Sequence, residues 1–330
     1  IREARLTGKL EHPNIMTVHD IGVNEQNEPY FTMELKSGGS LEEILQQRQK
    51  GNEQYLQKYP REKLLEIFLK ICDAMSYAHS KQVIHLDLKP ANIQVGEFGE
   101  VLVCDWGLGK LISSADSAEI DSLLFNPDLL NNMTLSGHIK GTPGFMAPEQ
   151  IEADKDKDER TDIYALGGIL YAILTDSSPL EGSTEEKLES ALKGHIESPL
   201  QKFPHKNIPP ALDAVTRKAL QVAPELRYSS VNTLSQEVHK HILGYSTTAE
   251  NAGIIKEFKL FWQRNRLVCR ISTFSILLLC ALITAFIFKL KASRDKAQEE
   301  RGKAKTFQQR AERVLELYEN EKENLKQINK

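Results

Sequence analysis

The sequence predicts an α+β fold, β-rich only near its start and mostly helical thereafter, followed by one membrane-spanning helix and a helical tail. Three observations predict it. Short β-type runs are confined to the first third of the 330 residues. From Leu41 onward the apolar residues recur at helical spacing, and one later segment is apolar all round. Residues 271–288 carry no charge at all.

Taken in order, Ile1, Leu6 and Leu10 stand at helical spacing, and His12-Pro13-Asn14 ends that helix. Residues 16–23 and 29–35 read as two β-runs around the polar turn 24–27. Ser40 caps a short helix that reaches Gln49, and 51–60 reads as a polar interruption. Leu64, Phe68, Ile71, Met75 and Ala78 then line one helical face, which is core. Ile93-Gln94-Val95 and Val101-Leu102-Val103 flank Gly96-Glu97-Phe98-Gly99 as a tight β-hairpin. Residues 111–140 are rich in Ser, Asp and Asn with few periodic apolar positions, the composition of a mobile segment. Residues 162–174 are apolar all round, so they form a buried helix, too short to cross a bilayer.

Composition narrows the function classes. A formal net charge of -4 leaves no basic excess for binding nucleic acid. Cys72, Cys104, Cys269 and Cys280 lack metal-ligand spacing, which suits reduced thiols in a cytosolic domain. His239-x-His241 is the one close histidine pair, and no further ligand cluster accompanies it.

The chemistry concentrates in His85-Leu86-Asp87-Leu88-Lys89-Pro90-Ala91-Asn92. A carboxylate at Asp87 can take a proton from an attacking hydroxyl, Lys89 can neutralise charge on a moving phosphoryl group, and the amide oxygen of Asn92 can ligate Mg²⁺. Pro90 forbids a helix through the middle, so this is a loop that aims its side chains. After the hairpin come Asp105-Trp106-Gly107 and then Gly141-Thr142-Pro143-Gly144-Phe145-Met146-Ala147-Pro148-Glu149.

Loop, hairpin, acidic-aromatic-Gly and Ala-Pro-Glu in that order resemble a eukaryotic-like Ser/Thr protein kinase of the bacterial Hanks type. The resemblance runs from Ile1 to about Gly244 and implies a protein-kinase-like fold, with a mostly helical C-lobe over 37–244 and a partial N-lobe over 1–36. It implies ATP and Mg²⁺ as cofactors, with Asp105 and Asn92 as the metal ligands and Asp87 and Lys89 as catalysts. Glu3 corresponds to the acid that pairs with the ATP-binding lysine. Met33 is expected behind the nucleotide, the backbone of Glu34 and Lys36 at the adenine edge, and Gln94 beneath the ring, where the family commonly has an apolar residue. His85, Asp162, Glu149 and Arg227 take supporting places: Asp162 behind the catalytic loop, Glu149 and Arg227 as a buried ion pair. Thr142 stands in the Gly-Thr-Pro context typical of Ser/Thr specificity.

Two departures matter. Leu86 occupies the place where many kinases have an Arg that grips a phosphate on the mobile segment, so activity independent of such a phosphate is expected. No Gly-rich loop or strand lysine precedes Glu3, so the chain is expected to begin inside a longer protein and to bind ATP poorly alone.

Residues 245–270 form a connector whose Lys, Arg and aromatic residues suit a membrane surface. As a helix, 271–288 would span about 27 Å, close to the roughly 30 Å hydrocarbon core, with Arg270 and Lys289 snorkelling at its ends. A buried core helix is the alternative reading of that segment. Both flanks are basic, so orientation follows from ATP: a single-pass protein of the cell membrane with its kinase side cytoplasmic. In 289–330, Ala304, Phe307, Ala311, Val314, Tyr318, Leu325 and Ile328 trace a short heptad seam, and Gly302 weakens the helix before it. That seam implies a homodimer through the tail, or an amphipathic helix packed on another partner. A membrane-anchored pseudokinase, binding without turnover, is the rival function.

Overall fold

Ser40 begins the helical part of the chain because its hydroxyl accepts from the Glu43 N–H while the Glu43 carboxylate accepts from the Ser40 N–H, closing both ends of a capping box. The computed structural model describes residues 8, 10–24, 29–34, 37–111, 142–152 and 155–328. The expected helix before His12, with Glu3, as well as Lys36 and nearly all of the segment 111–140, lies outside the described residues.

Two strands, β1 (Val18–Val23) and β2 (Pro29–Met33), pair antiparallel as an isolated ribbon. The expected hairpin forms as β5 (Ile93–Gly96) and β6 (Val101–Val103), with Ile93 opposite Val103. A third strand, β3 (Gly38–Ser40), joins its edge, setting Gly38 opposite Gly96. Gly38 has φ +133°, and a Cβ there would collide with the Val95 carbonyl, so the close crossing requires glycine. β4 (Val83–Ile84) pairs antiparallel with β7 (Lys110–Leu111), closing a small third sheet on the far side of the hairpin in sequence.

The helices carry the core. After α1 (Leu41–Gln49), a six-residue helix α2 (Glu53–Lys58) stands inside the stretch read as an interruption. It buries nothing, so no apolar period marks it; Asn52 starts it by accepting from the Gln54 N–H. α3 (Arg61–Ser80) buries the predicted stripe: Leu64, Phe68, Ile71, Met75 and Ala78 are all fully inaccessible. Past the short α4 (Pro148–Ile151), α5 (Glu159–Thr175) is buried at every residue from Thr161 to Thr175. Gly167 lets it approach Ala219 and Leu220, since a Cβ at 167 would sit 2.8 Å from the Ala219 methyl. Then follow α6 (Thr184–Lys193), α7 (Pro199–Lys202), α8 (Pro210–Ala219) and α9 (Val231–Ile242). α3 packs on α5 and α9, and α5 on α8, so one apolar core, which includes Leu88, underlies the loop 85–92.

This unit extends past Gly244 to Phe261. The cause is a hydrogen-bonded knot: the Glu237 carboxylate accepts from the Thr248 N–H (2.6 Å), the Thr248 hydroxyl (2.8 Å) and the Ala249 N–H (3.3 Å). α10 (Ile254–Arg264) follows.

The second unit, Trp262–Lys330, is essentially the 63-residue helix α11 (Arg266–Ile328). It runs through Gly302 without a break, because one glycine costs only about 1 kcal/mol in a long helix. Its apolar stretch is long enough to cross a membrane, and the side chains there are exposed, for example Phe274, Leu277 and Leu282.

Candidate active site

A buried anion organises the catalytic loop from behind. Asp162, on the first turn of α5, is 1% exposed and accepts three hydrogen bonds: from His79 Nε2 at 2.8 Å, the His85 N–H at 2.8 Å and the Leu86 N–H at 2.9 Å. Burial alone would raise its pKa, but the His79 hydrogen bond and the flanking His and backbone donors hold it below the usual carboxylate range. The loop backbone therefore folds around a fixed negative charge.

His85 sets the next contact. Burial pushes its pKa down, so the ring is neutral. Its Nδ1 accepts from the Asp87 N–H at 3.3 Å, which leaves Nε2 protonated to donate to the Cys104 carbonyl at 3.1 Å. The Cys104 N–H in turn donates to the Asn92 carbonyl at 2.9 Å. Catalytic loop and hairpin exit are thus laced together at Cys104, one residue before Asp105. Trp106, buried to 1%, leans on the His85 ring with centroids 4.6 Å apart, so the indole fills the packing role expected of an aromatic there.

At the loop's outer side the Asp87 carboxylate is flanked by two groups. The Lys89 ammonium donates to one oxygen at 2.8 Å, and the Thr142 hydroxyl donates to the other at 3.4 Å. Lys89 also donates to the Thr142 oxygen at 2.7 Å, which closes a three-membered cluster. The Asn92 amide nitrogen donates to the Asp87 carbonyl at 2.9 Å and its carboxylate at 3.3 Å, so the amide oxygen is the end turned away from Asp87. Asp105 has φ +61° and an exposed side chain that accepts from the Gly107 N–H at 3.4 Å. Two hard oxygen donors on adjoining loops are the ligand chemistry that Mg²⁺ prefers. Pro90, the residue after Lys89, and Phe145 help line a cavity of about 200 Å³, together with Glu42, Leu45, Ala172 and Asp176.

The family described as Protein kinase domain matches residues 1–241. The chain belongs to the protein kinase family. This kinase is 36% identical over 249 residues to the serine/threonine-protein kinase PknD of Chlamydia felis, covering 74% of the chain and 26% of that protein. It is 37% identical over 255 residues to the protein of the same name from Chlamydia muridarum (74% and 27%), and 34% over 272 residues to that of Chlamydia trachomatis (80% and 29%). The kinase chain thus spans about a quarter of the length of the curated relatives it matches.

Two other expected residues of the kinase have clear positions. Glu149 and Arg227 form a bidentate buried pair at 2.7 and 2.8 Å. All five guanidinium N–H groups are used, the remaining three on the carbonyls of Gln221, Val222 and Arg160, with the Tyr164 ring 4.9 Å below. Burial would raise the Glu149 pKa, but Arg227 overrides it and holds the carboxyl below its ordinary value.

The nucleotide side is less gathered. Met33 ends β2 with 45% of its surface exposed. Glu34 follows it, and Gln94 sits on β5 opposite Ser40 and Leu102. His79 and Gln150 were not legible as functional. A lone helical His has no local signature, and the partner of Gln150 is 64 residues away.

Proposed function

We propose that this chain is the catalytic region of a Ser/Thr protein kinase that transfers the ATP γ-phosphoryl group to protein hydroxyls. The observation that carries this reading is the cluster in which one carboxylate, Asp87, is bracketed by an ammonium and a hydroxyl. A substrate hydroxyl entering where Thr142 Oγ1 now touches Asp87 meets a proton acceptor within hydrogen-bond reach and a cation beside the forming bond. Lys89 stabilises the transferring group. Mg²⁺, held by Asn92 and Asp105, would neutralise the phosphate oxygens. In the full-length protein, Glu3 would pair with the ATP-binding lysine while Met33, Glu34, Lys36 and Gln94 line the nucleotide.

The apolar stretch of α11 makes the protein a single-pass membrane kinase, its catalytic side cytoplasmic because ATP is there. α10 lies at the membrane surface, with Ile254, Ile255 and Phe258 exposed on it among lysines. The heptad seam of the tail pairs two copies. A pseudokinase reading draws on the exposed Met33 and on Gln94, which weaken a dry purine slot.

One assay separates the two: phosphate transfer from radiolabelled ATP to a Ser/Thr protein substrate by the full-length protein. The enzyme reading expects Mg²⁺-dependent transfer that Asp105→Asn lowers by about 10²-fold or more. A wild type that transfers nothing supports the binding module instead, and an Asp105→Asn variant as fast as an active wild type removes Asp105 from the metal site.

A further inference from the structure

Leu86 is held in a conformation its side chain does not favour. Its φ is +67°, in the left-handed region, where a residue with a Cβ is strained and persists only if its surroundings hold it. Two groups hold its peptide units. Asp162 accepts from the Leu86 N–H at 2.9 Å, and Gln150 Nε2 donates to the Leu86 carbonyl at 2.7 Å. That carbonyl belongs to the peptide bond leading directly into Asp87.

The other end of the same side chain is equally engaged. Gln150 Oε1 accepts from the Ala147 N–H at 3.0 Å, at the start of α4. One amide group therefore straps the catalytic loop to the 142–148 segment, which carries Thr142 at the Asp87–Lys89 cluster. The Leu86 side chain offers neither charge nor donor, so it cannot tie these two segments itself.

We propose that Gln150 is a positioning residue of this kinase: through the Leu86 carbonyl it fixes Asp87 relative to the segment that carries Thr142. The proposal rests on the reading of Asp87 as the proton acceptor. Both ends of Gln150 contribute to stability, and the donor end serves catalysis as well.

The two ends can be separated in the full-length protein. Gln150→Glu keeps the acceptor for Ala147 but turns a carboxylate toward the Leu86 carbonyl. Gln150→Lys keeps a donor for Leu86 and loses the acceptor, while Gln150→Ala loses both. The expected kcat order is wild type and Lys alike, with Glu and Ala lower by roughly tenfold, the worth of one hydrogen bond of this kind, and the KM for ATP unchanged in all. Thermal midpoints should divide differently, with Glu and Lys each reduced by the loss of one hydrogen bond and Ala, which loses both, reduced most. A kcat that follows the thermal midpoints, or a Gln150→Glu variant with wild-type kcat, overturns the proposal. Asp87→Asn serves as the control: activity surviving in it would instead remove the reading on which the proposal stands.

Discussion

Asp87→Asn in the full-length protein should lower kcat by about 10²- to 10⁴-fold, the usual contribution of a positioned general base, with ATP affinity little changed. The substitution keeps shape and retains an oxygen for the Lys89 ammonium, which now donates to Asp87 at 2.8 Å. It removes the negative charge and with it the capacity to take up a proton. The loop should stay in place, because its geometry is set from behind by Asp162 and from the side by His85 and Asn92. Steady-state kinetics with varied ATP and varied protein substrate measures both parameters. A loss confined to KM for ATP would show that the residue serves binding and not proton transfer.

Arg227→Ala should destabilise the kinase unit by roughly 3–5 kcal/mol, because it strands a buried carboxylate. The guanidinium is fully inaccessible and also satisfies three backbone carbonyls, so the Ala variant leaves Gln221, Val222 and Arg160 short of a donor as well. Glu149→Ala should cost a similar amount by stranding the cation. The pair also predicts a pH dependence. The Glu149 pKa is depressed in the folded protein, so the unfolded chain binds a proton here more readily than the folded one. The stabilisation is therefore complete above the ordinary carboxylate pKa and is lost as pH falls through the depressed folded value. Thermal unfolding in mild detergent from pH 7 down to pH 3 checks this. The Arg227→Ala variant should lose less stability over that range than wild type.

The parts of this molecule that were legible in the sequence are those whose cause is local. Ser40 with Glu43, the glycine turn between β5 and β6, the apolar period of α3 and the all-apolar α5 each lie within a few residues of the physics that produces them. The catalytic loop was legible for the same reason, since Asp87, Lys89 and Asn92 fall within six residues. What was missed depends on partners far along the chain. β3 is only three residues long and exists because Gly38 can lie against Gly96. His79 becomes informative only once α5 brings Asp162 beside it, 83 residues on. Helix α2 escaped notice because it buries no side chain, and periodicity reports burial.

The central claim is that Asn92 and Asp105, brought to adjoining loops by the Cys104 contacts, share one metal ion on a nucleotide triphosphate beside Asp87. Anomalous diffraction from Mn²⁺ in crystals of the full-length protein grown with a non-hydrolysable ATP analogue tests it most directly. The account predicts a manganese peak bonded to both the Asn92 amide oxygen and an Asp105 carboxylate oxygen, at about 2.0–2.3 Å, with the terminal phosphate facing Asp87. A peak on neither residue, or a bound nucleotide whose phosphates point away from Asp87, would contradict it.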